Sequence, residues 1–299
     1  MSTPTPSPIV HPGAGVRPEF WRDAPEPGLY PGVEYAEYSR WAAINASTLK
    51  FFSRSPLHAR YSMLHPDDPT DAMELGSAVH AAVLEPDTFQ AAYCGTPKVD
   101  KRTTDGKRLW AEFYAANDGK HVLTADEYGQ CLAMRDAAWS HPMAASILRG
   151  SGKNEVSAVW PDKGTGVVCK GRQDRLTYVD NWPAVVDVKT SKDAGRRKFS
   201  RDIDAYGYAD QAAFYLDGLD TLHPFEGDRR FVFIVLEKEP PYAVVVYELD
   251  IDAINVARTK VQSYLRQYAA CLESGTWPGY GDGLELVSLP PWAFKEEAD

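Results

Sequence analysis

Hydrophobic and polar residues change their spacing near the middle of the chain. From residue 154 onward, five short runs are rich in β-branched and aromatic residues, which predicts buried strands. Two longer segments instead place apolar residues three or four positions apart, which predicts helices. The predicted strands are 155–160, 167–179, 184–189, 231–236 and 242–249, and the predicted helices are 206–216 and 251–274.

The preceding region, from about residue 44, has helical spacing throughout. Four helices are predicted there from their caps and apolar positions. The first begins at Asn45 or Ser47 and ends near Pro56, and the second covers 72–84. The third lies within 103–119, and the fourth runs from the capping box Thr124-x-x-Glu127 to His141-Pro142. Helices followed by strands, with a crossover helix among the strands, predict an α/β fold, an α+β sandwich with a mixed central sheet flanked by helices.

Proline is concentrated at the start of the chain. Eight of the 22 prolines lie in residues 1–40, and a segment of that composition cannot form a core. Trp21, Tyr30 and Tyr35 could still hold its later part against the body. We therefore expect a Pro-rich N-terminal extension over residues 1–43, partly disordered, and a single domain over residues 44–299.

Composition adds expectations about where the protein works. No apolar run approaches the length of a membrane span and the N-terminus lacks a signal peptide, so we expect a cytoplasmic protein without membrane contact. The net charge of -10 argues against a generally basic surface that would coat nucleic acid. Locally, residues 98–108 hold five Lys/Arg against two Asp (+3), and residues 189–201 hold six against one (+5). Each segment is either a surface that binds a polyanion or a solvated loop.

The four cysteines are widely dispersed, with no C-x-x-C pair among Cys94, Cys131, Cys169 and Cys271. This spacing suits neither a zinc site nor, in a cytosolic protein, a disulfide framework. It also lacks the clustering that an iron–sulfur group needs, so we expect no such cluster.

Candidate chemistry is concentrated on the strand predicted at 184–189. Side chains alternate along a strand, so Asp187 and Lys189 share one face while Val186 and Val188 fill the other. If the preceding strand pairs with it as a hairpin, Asp174 comes opposite and two carboxylates meet one ammonium. That arrangement suits a divalent metal and a water molecule. The alternative is a solvated strand face with a cross-strand ion pair of little energetic weight.

Further motifs stand in order along the chain: Asn45-Ala46-Ser47-Thr48-Leu49, Ser55-Pro56, Gly76-Ser77-Ala78-Val79-His80, Asn154-Glu155, Cys169-Lys170-Gly171-Arg172-Gln173-Asp174, Val186-Asp187-Val188-Lys189-Thr190 and Gln211-x-x-x-Tyr215. Together they resemble nucleases of the PD-(D/E)xK superfamily in its RecB-like branch, in particular the RecE-type exonucleases of phages and prophages (the exonuclease VIII group). The resemblance covers roughly residues 44–275. It implies a restriction-endonuclease-like core.

The resemblance also implies a metal site. Asp174 and Asp187 would be catalytic metal ligands, the backbone carbonyl of Val188 a further ligand, and His80 an additional one. Glu155 would support the metal directly or through water. The cofactor would be Mg²⁺, which takes few protein carboxylates, with Mn²⁺ able to substitute. For His80 the alternative is a buried histidine with a structural role.

Five more residues receive roles in catalysis or substrate binding. Lys189 would orient or help deprotonate the attacking water. Gln211 and Tyr215 would contact the DNA backbone or orient site residues, although Tyr215 could equally belong to a helix face packed on the sheet. Arg196 and Arg197 follow the catalytic lysine closely and could lie along the DNA.

The function that the resemblance implies is a metal-dependent exodeoxyribonuclease acting on linear double-stranded DNA. It would work in the 5′-to-3′ direction and leave 3′ overhangs for a RecT-type annealing protein, in the bacterial host cytoplasm if phage-encoded. A homo-oligomer, ring-like and tetrameric, is also implied. The alternatives are an endonuclease or single-strand-specific nuclease of the same fold and, from another class, a noncatalytic DNA-binding protein.

Overall fold

A six-stranded sheet forms the centre of the protein, in a computed structural model that describes residues 20–66 and 68–294. The strands are β1 (Gly28–Pro31), β2 (Tyr93–Gly95), β3 (His121–Leu123), β4 (Gly152–Pro161), β5 (Val168–Val179), β6 (Trp182–Ser191), β7 (Arg230–Glu237) and β8 (Val244–Glu248). The helices are α1 (Tyr35–Arg40), α2 (Ala46–Leu49), α3 (Pro56–Leu64), α4 (Asp71–Leu84), α5 (Pro86–Ala92), α6 (Thr104–Ala116), α7 (Ala125–Ser140), α8 (Pro142–Arg149), α9 (Arg196–Tyr206), α10 (Tyr208–Leu222) and α11 (Ile251–Ser274), with short 3-10 helices at Lys50–Ser53 and Pro291–Phe294.

The sheet is mixed, with strand order β1-β4-β5-β6-β7-β8. Only β6 and β7 run parallel among these six strands; the other neighbours are antiparallel. The chain between the parallel pair must return to the same end of the sheet, and α9 and α10 make that crossover. Strands β2 and β3 form a separate parallel pair. The α/β sandwich with a mixed central sheet is therefore confirmed.

Each face of the sheet packs against its own set of helices. On one face, Val185 of β6 and Phe233 of β7 belong to a core that also includes residues of α10 and α11. On the other, Val186 and Val188 pack against α4, α7 and α8. This alternation along β6 confirms the predicted assignment of the two valines to one face.

The five predicted strands are all present, each within a few residues of its expected bounds. The capping box at Thr124 and Glu127 is formed as predicted, with both reciprocal contacts made. His141-Pro142 ends α7 but also opens α8, since the His141 side chain accepts from the Ala144 N–H and Pro142 takes the first helical position. Helix α8 was not predicted.

The predicted start of the helix over 206–216 is wrong. Gly207 adopts a left-handed conformation, with φ of 71°, and separates α9 from α10. Helix α9 begins at Arg196, so the second half of the basic segment 189–201 is helical rather than a loop. In the first basic segment, α6 begins at Thr104.

Part of the expected N-terminal extension contributes to the sheet. Strand β1 pairs with β4, and Tyr38 and Trp41 are buried with Val159 and Val168. Residues 1–19, where disorder was expected, lie outside the described residues. In the described part of the chain, no helix has the length and apolar character needed to cross a membrane.

Candidate metal centre

Three acidic residues occupy neighbouring positions on three adjacent strands. The pairing of Asn154 with Arg175 and of Val156 with Gln173 leaves Glu155 and Asp174 opposite each other between β4 and β5. On the next strand, Arg175 pairs with Val186, which precedes Asp187. The sheet register therefore aligns the three carboxylates across β4, β5 and β6.

The backbone is irregular where these residues lie. Glu155 has a positive φ of 49°, in a region that favours glycine. Strand β5 also changes face here: a Cβ on Gly171 would lie 2.8 Å from Tyr215 of α10, whereas Arg175 donates to the Ile147 carbonyl of α8, on the other side of the sheet. Residues four apart in a regular strand would point to the same face. This local change re-aims the side chains between them, as bulged strands beside functional sites do.

A lysine and an amide surround the most buried of the three carboxylates. Asp187 is only 2% exposed, and its Oδ2 lies 2.6 Å from the Lys189 Nζ. Gln211 on α10 donates to the Asp187 Oδ1 at 3.2 Å and accepts from the Lys189 Nζ at 3.4 Å. The ring of Tyr208 lies below the ammonium, 4.7 Å from Nζ to the ring centroid. Lys189 is thereby fixed beside the acids.

The other two acids lie close to His80 of α4, a helix that packs on the opposite face of the sheet from α10. One ligand atom each from His80, Glu155 and Asp174 lie within 4.8 Å of one another. His80 Nδ1 is 3.5 Å from Asp174 Oδ2, and that oxygen also accepts from the Val188 N–H at 2.8 Å. A small helix surface around His80, which includes the fully buried Ala78, lets α4 approach the sheet.

Arg172 supports Glu155 from the neighbouring strand. The Arg172 Nε donates to Glu155 Oε2 at 2.7 Å, while its Nη1 contacts the Ser157 hydroxyl and the Val33 carbonyl. Sequence reasoning gave Arg172 no role, although it lies inside one of the quoted motifs. The signal that could have identified it is its position two residues before Asp174, on the strand that carries that acid.

Burial and repulsion shift the protonation of these groups. Burial, together with the charge of Asp187, raises the pKa of Asp174 to about 7. Burial and the charge of Asp174 raise the pKa of Glu155, and burial lowers the pKa of His80. For Lys189, burial alone would lower the pKa, but Asp187 and Asp174 outweigh it and hold the pKa above its usual value. Without a further cation, the negative charge of the site is only partly balanced.

This donor set fits a hard divalent cation. It offers carboxylate oxygens and one imidazole nitrogen, the ligands that Mg²⁺ and Mn²⁺ accept. In the described part of the chain, the buried Oδ2 of Asp187 accepts no hydrogen bond of regular geometry, although it contacts the Lys189 ammonium. A metal ion would supply a further partner for this buried oxygen beside the Lys189 ammonium.

The centre opens into a cleft of about 920 Å³. Seven residues singled out from the sequence line it, namely His80, Glu155, Asp174, Asp187, Lys189, Gln211 and Tyr215. Burial raises the pKa of Tyr215 to about 12, so its hydroxyl stays protonated at neutral pH. Val188 takes part through its N–H. Arg196 instead lines a second cleft beside Trp182 and Arg230, and Arg197 lines neither cleft.

Comparison with known proteins agrees with this fold. The model of a family described as "PDDEXK-like domain of unknown function" (DUF3799) matches residues 45–290. A solved structure described as a "putative exonuclease" from Eubacterium rectale superposes with a TM-score of 0.50 at 12% identity, covering 83% of this chain and 90% of that one. At that identity the likeness concerns the fold alone. A second structure, SSO0001, has a TM-score of 0.29 at 14% identity over 74% of this chain and 76% of that one. No curated protein matches the sequence.

Proposed function

This chain belongs to the family of PDDEXK-like domains named DUF3799, and from that premise we propose that it is a metal-dependent nuclease that hydrolyses phosphodiester bonds in DNA. The family and the shared fold support nuclease activity at the level of the class. One observation carries the proposal for this chain: Asp174, Asp187 and Lys189 lie together in an open cleft, with His80 and Glu155 beside them.

The site has groups suited to the two electrostatic problems of phosphodiester hydrolysis. The phosphate's negative charge repels a nucleophile, and the leaving oxygen departs with a negative charge. A divalent metal, when bound, makes a coordinated water more acidic and stabilises charge on the attacked phosphate. Asp174 and Asp187 would hold it, with His80 and Glu155 completing the protein's share and the Val188 carbonyl as a further ligand.

The protein's own groups then orient the reactants. Lys189 has a raised pKa and stays protonated, so it acts as a cation that orients water and phosphate rather than as a base. Gln211 keeps Lys189 and Asp187 in one arrangement through its two contacts. Arg172 keeps the Glu155 carboxylate aimed at His80 and Asp174. We assign Mg²⁺ as the cofactor, with Mn²⁺ as a substitute, because the set combines oxygen ligands with one imidazole.

We further propose a substrate and a mode of action. The substrate is the end of linear double-stranded DNA, degraded from the 5′ end to leave a 3′ single strand for a RecT-type annealing protein. The support is the order of motifs, which resembles RecE-type exonucleases. A ring-like homo-tetramer belongs to the same proposal.

End-labelled DNA tests the activity and its mode together. Linear duplex labelled at either the 5′ or the 3′ end, labelled linear single strands, nicked circles and closed circles are incubated with Mg²⁺, and in parallel with Mn²⁺. We expect label to be released from linear duplex alone, first from the 5′ end. Cleavage of closed circles would identify an endonuclease, and cleavage of single strands alone a single-strand nuclease. Binding without cleavage in either metal would identify a noncatalytic DNA-binding protein.

A further inference from the structure

Helix α6 lies in a long connection that leaves the body of the protein. Residues 96–120 join the paired strands β2 and β3, and we call them the β2–β3 connection. Within α6 the only buried residue is Gly106, and the connection itself covers it, since a Cβ there would lie 1.8 Å from the Asp100 carbonyl oxygen. In the described part of the chain, no residue of α6 belongs to a hydrophobic core. The outer surface of α6 is therefore open.

One face of α6 is aromatic. Trp110, Phe113 and Tyr114 are three and four positions apart, so their side chains share one face of the helix. Their ring centroids lie 5.5–5.9 Å from one another. Tyr114 is 52% exposed, and the other two rings are partly exposed. Adjoining aromatic rings that are open to solvent mark an interaction site, because such rings contribute much of the energy of the contacts they make.

Two lysines lie on the same face as the rings. The Lys101 Nζ lies 3.5 Å from the centroid of the Trp110 ring. Lys107 precedes Trp110 by three positions and Tyr114 by seven, so it belongs to the same stripe of the helix. It is exposed and, among the described residues, forms no ion pair. The β2–β3 connection contains six Lys/Arg against four Asp/Glu, whereas the whole chain has a net charge of -10. Flat rings and positive charge are thus combined on one surface.

Rings combined with lysines suit a single strand of nucleic acid. Each unpaired base offers a flat face to an aromatic ring, whatever the sequence, and the phosphates between the bases attract the ammonium groups. In a duplex only the edges of the bases are accessible, so these rings would have no base to stack on. A protein partner fits the surface less well, because lysine is depleted at protein–protein interfaces.

The β2–β3 connection begins and ends at the edge of the main cleft. Tyr93 of β2 and His121 of β3 line that cleft, and their rings stack with centroids 5.1 Å apart. The Lys120 Nζ donates to the Gln90 carbonyl of α5 at 3.1 Å, which holds the base of the connection beside these rings. A strand that leaves the cleft over Tyr93 and His121 therefore reaches the β2–β3 connection.

We propose that the aromatic face of α6 binds single-stranded DNA that emerges from the main cleft. The source of that strand rests on the proposed nuclease function: it is the strand left unpaired when the other is degraded. The site is separate from the exposed arginines of α9. Phe199 of α9 packs in the core on the α10 side of the sheet, whereas Tyr93 packs in the core on the α4 side. The two surfaces therefore reach the cleft from different faces of the sheet.

Binding of fluorescent oligonucleotides by the full chain tests the ligand. The probes are an oligo-dT strand of about 20 nucleotides, longer than a typical single-strand site, and a duplex of equal length, both with EDTA so that neither is cut. We expect Trp110→Ala/Tyr114→Ala to weaken single-strand binding by about 30-fold or more, since each lost stack costs roughly tenfold, and to change duplex binding by less than about threefold. Trp110→Phe/Tyr114→Phe keeps two rings and should bind the single strand nearly like wild type. Tyr178→Ala/Trp182→Ala is the matched control, since it removes two exposed rings elsewhere, at 64% and 43% exposure.

Four results would overturn the proposal. They are a wild type that does not bind the single strand, an Ala variant that binds it like wild type, an equal loss of duplex binding, and a changed oligomeric state in sedimentation with single-strand binding kept, which would identify a protein interface. Circular dichroism shows that each variant is folded. Cleavage assays decide the nuclease proposal separately. A chain that binds single strands through α6 but cuts no DNA would keep this site and lose the nuclease function, and the reverse result would remove this site alone.

Photocross-linking tests the path of the strand. A duplex with a 3′ overhang carries one 5-iododeoxyuridine, placed at increasing distances from the junction, and this base cross-links to aromatic side chains that it contacts. Near the junction we expect adducts on Tyr93 or His121, and farther out on the tryptic peptide of residues 109–120, which contains the three rings of α6. Adducts on that peptide should fall to background in Trp110→Ala/Tyr114→Ala. If no position of the overhang labels residues 109–120 in wild type, the proposal is wrong.

Discussion

At the scale of single residues, the site concentrates negative charge where burial disfavours it. Asp187 is almost inaccessible, and Asp174 and Glu155 both have raised pKa values. Lys189 is the cation in contact with Asp187, while Arg172 is paired with Glu155. One ammonium and one guanidinium do not neutralise three ionised carboxylates. The excess negative charge supports the proposed metal site.

Removing either central carboxylate should abolish cleavage. Asp174→Ala and Asp187→Ala each remove a proposed metal ligand, and we expect DNA cleavage to fall by more than about a hundredfold while the fold is kept, since one such electrostatic contact contributes ~3 kcal/mol or more to the transition state. Asp118→Ala, an exposed acid away from the cleft, is the charge-matched control. Near-normal activity in a folded Asp174 or Asp187 variant would show that the metal assignment is wrong.

Replacing Lys189 should slow the chemical step without weakening metal binding. Lys189→Ala leaves every candidate ligand in place and removes repulsion toward a cation, so Mn²⁺ binding should be kept or tightened. Cleavage should slow because water and phosphate are left without the cation that orients them. Calorimetry with Mn²⁺ and single-turnover kinetics measure the two effects, with the exposed Lys192→Ala as control. The assigned role is contradicted by normal cleavage, or by a defect that follows weakened metal binding alone.

The sequence predicts this site only in part, for a physical reason. Alternation along one strand brings Asp187 and Lys189 together, and a hairpin adds Asp174. Where regular geometry ends, alternation fails: Glu155 has a positive φ, and no local pattern predicts its contact with Arg172. The resemblance to a family supplied Glu155 and His80, while Arg172 was missed because its partner is set by the irregular backbone.

At the scale of elements, one buried lysine joins the N-terminal segment to the sheet. Lys170 on β5 is 2% exposed and donates to three carbonyls at the end of α1, those of Tyr38, Ser39 and Trp41, at 2.8–3.1 Å. The last carbonyls of a helix lack partners within the helix, and the Lys170 amine satisfies three of them although burial lowers its pKa to about 7. Residues 32–35 of the same segment line the main cleft, so Lys170 helps to hold one of its walls.

Replacing this lysine should loosen that wall. Lys170→Met keeps the length of the side chain but leaves three carbonyls without their donor, and we expect the free energy of unfolding to fall by about 3 kcal/mol. Amides of residues 35–41 should lose hydrogen-exchange protection more than those of α11. The exposed Lys153→Met is the control. Unchanged protection over 35–41 would mean that β1 and the aromatic contacts hold the segment without Lys170.

Local signals also decide which elements the sequence could predict. Helices with a side-chain cap and long apolar stripes, such as α7 and α11, were found. Helix α9 was missed because Gly195 supplies no side-chain cap and the helix stops after eleven residues at Gly207. Strands β1, β2 and β3 hold three or four residues each, too few for a period to show. The strand order depends on long-range pairing, which spacing does not encode.

At the scale of the whole molecule, an acidic protein needs a local basic surface to bind an acidic polymer. The net charge is -10, and the cations of the segment 98–108 are largely engaged, as in the pairs Lys98 with Asp126 and Arg102 with Asp100. On α9, Arg196, Arg197 and Arg201 are exposed, and within the described residues none of them forms an ion pair. Helix α9 runs for about 16 Å and ends at Tyr206, which lines the main cleft. DNA that leaves the cleft along α9 would pass these arginines.

The salt dependence of binding distinguishes this path from the alternative. Removing one contact to a phosphate should flatten the log-log slope of affinity against salt by about 0.9 for duplex DNA, because fewer counterions are released. We expect Arg196→Ala/Arg197→Ala to bind duplex more weakly at physiological salt, with a shallower slope, yet to cleave normally in single turnover once saturated, since neither arginine lines the metal site. Lys98→Ala/Arg102→Ala removes the same charge from the paired segment and should leave the slope unchanged. If instead Lys98→Ala/Arg102→Ala shows the shallower slope and Arg196→Ala/Arg197→Ala does not, the DNA path lies over residues 98–108. If Arg196→Ala/Arg197→Ala matches wild type in slope and affinity, α9 is only a solvated helix.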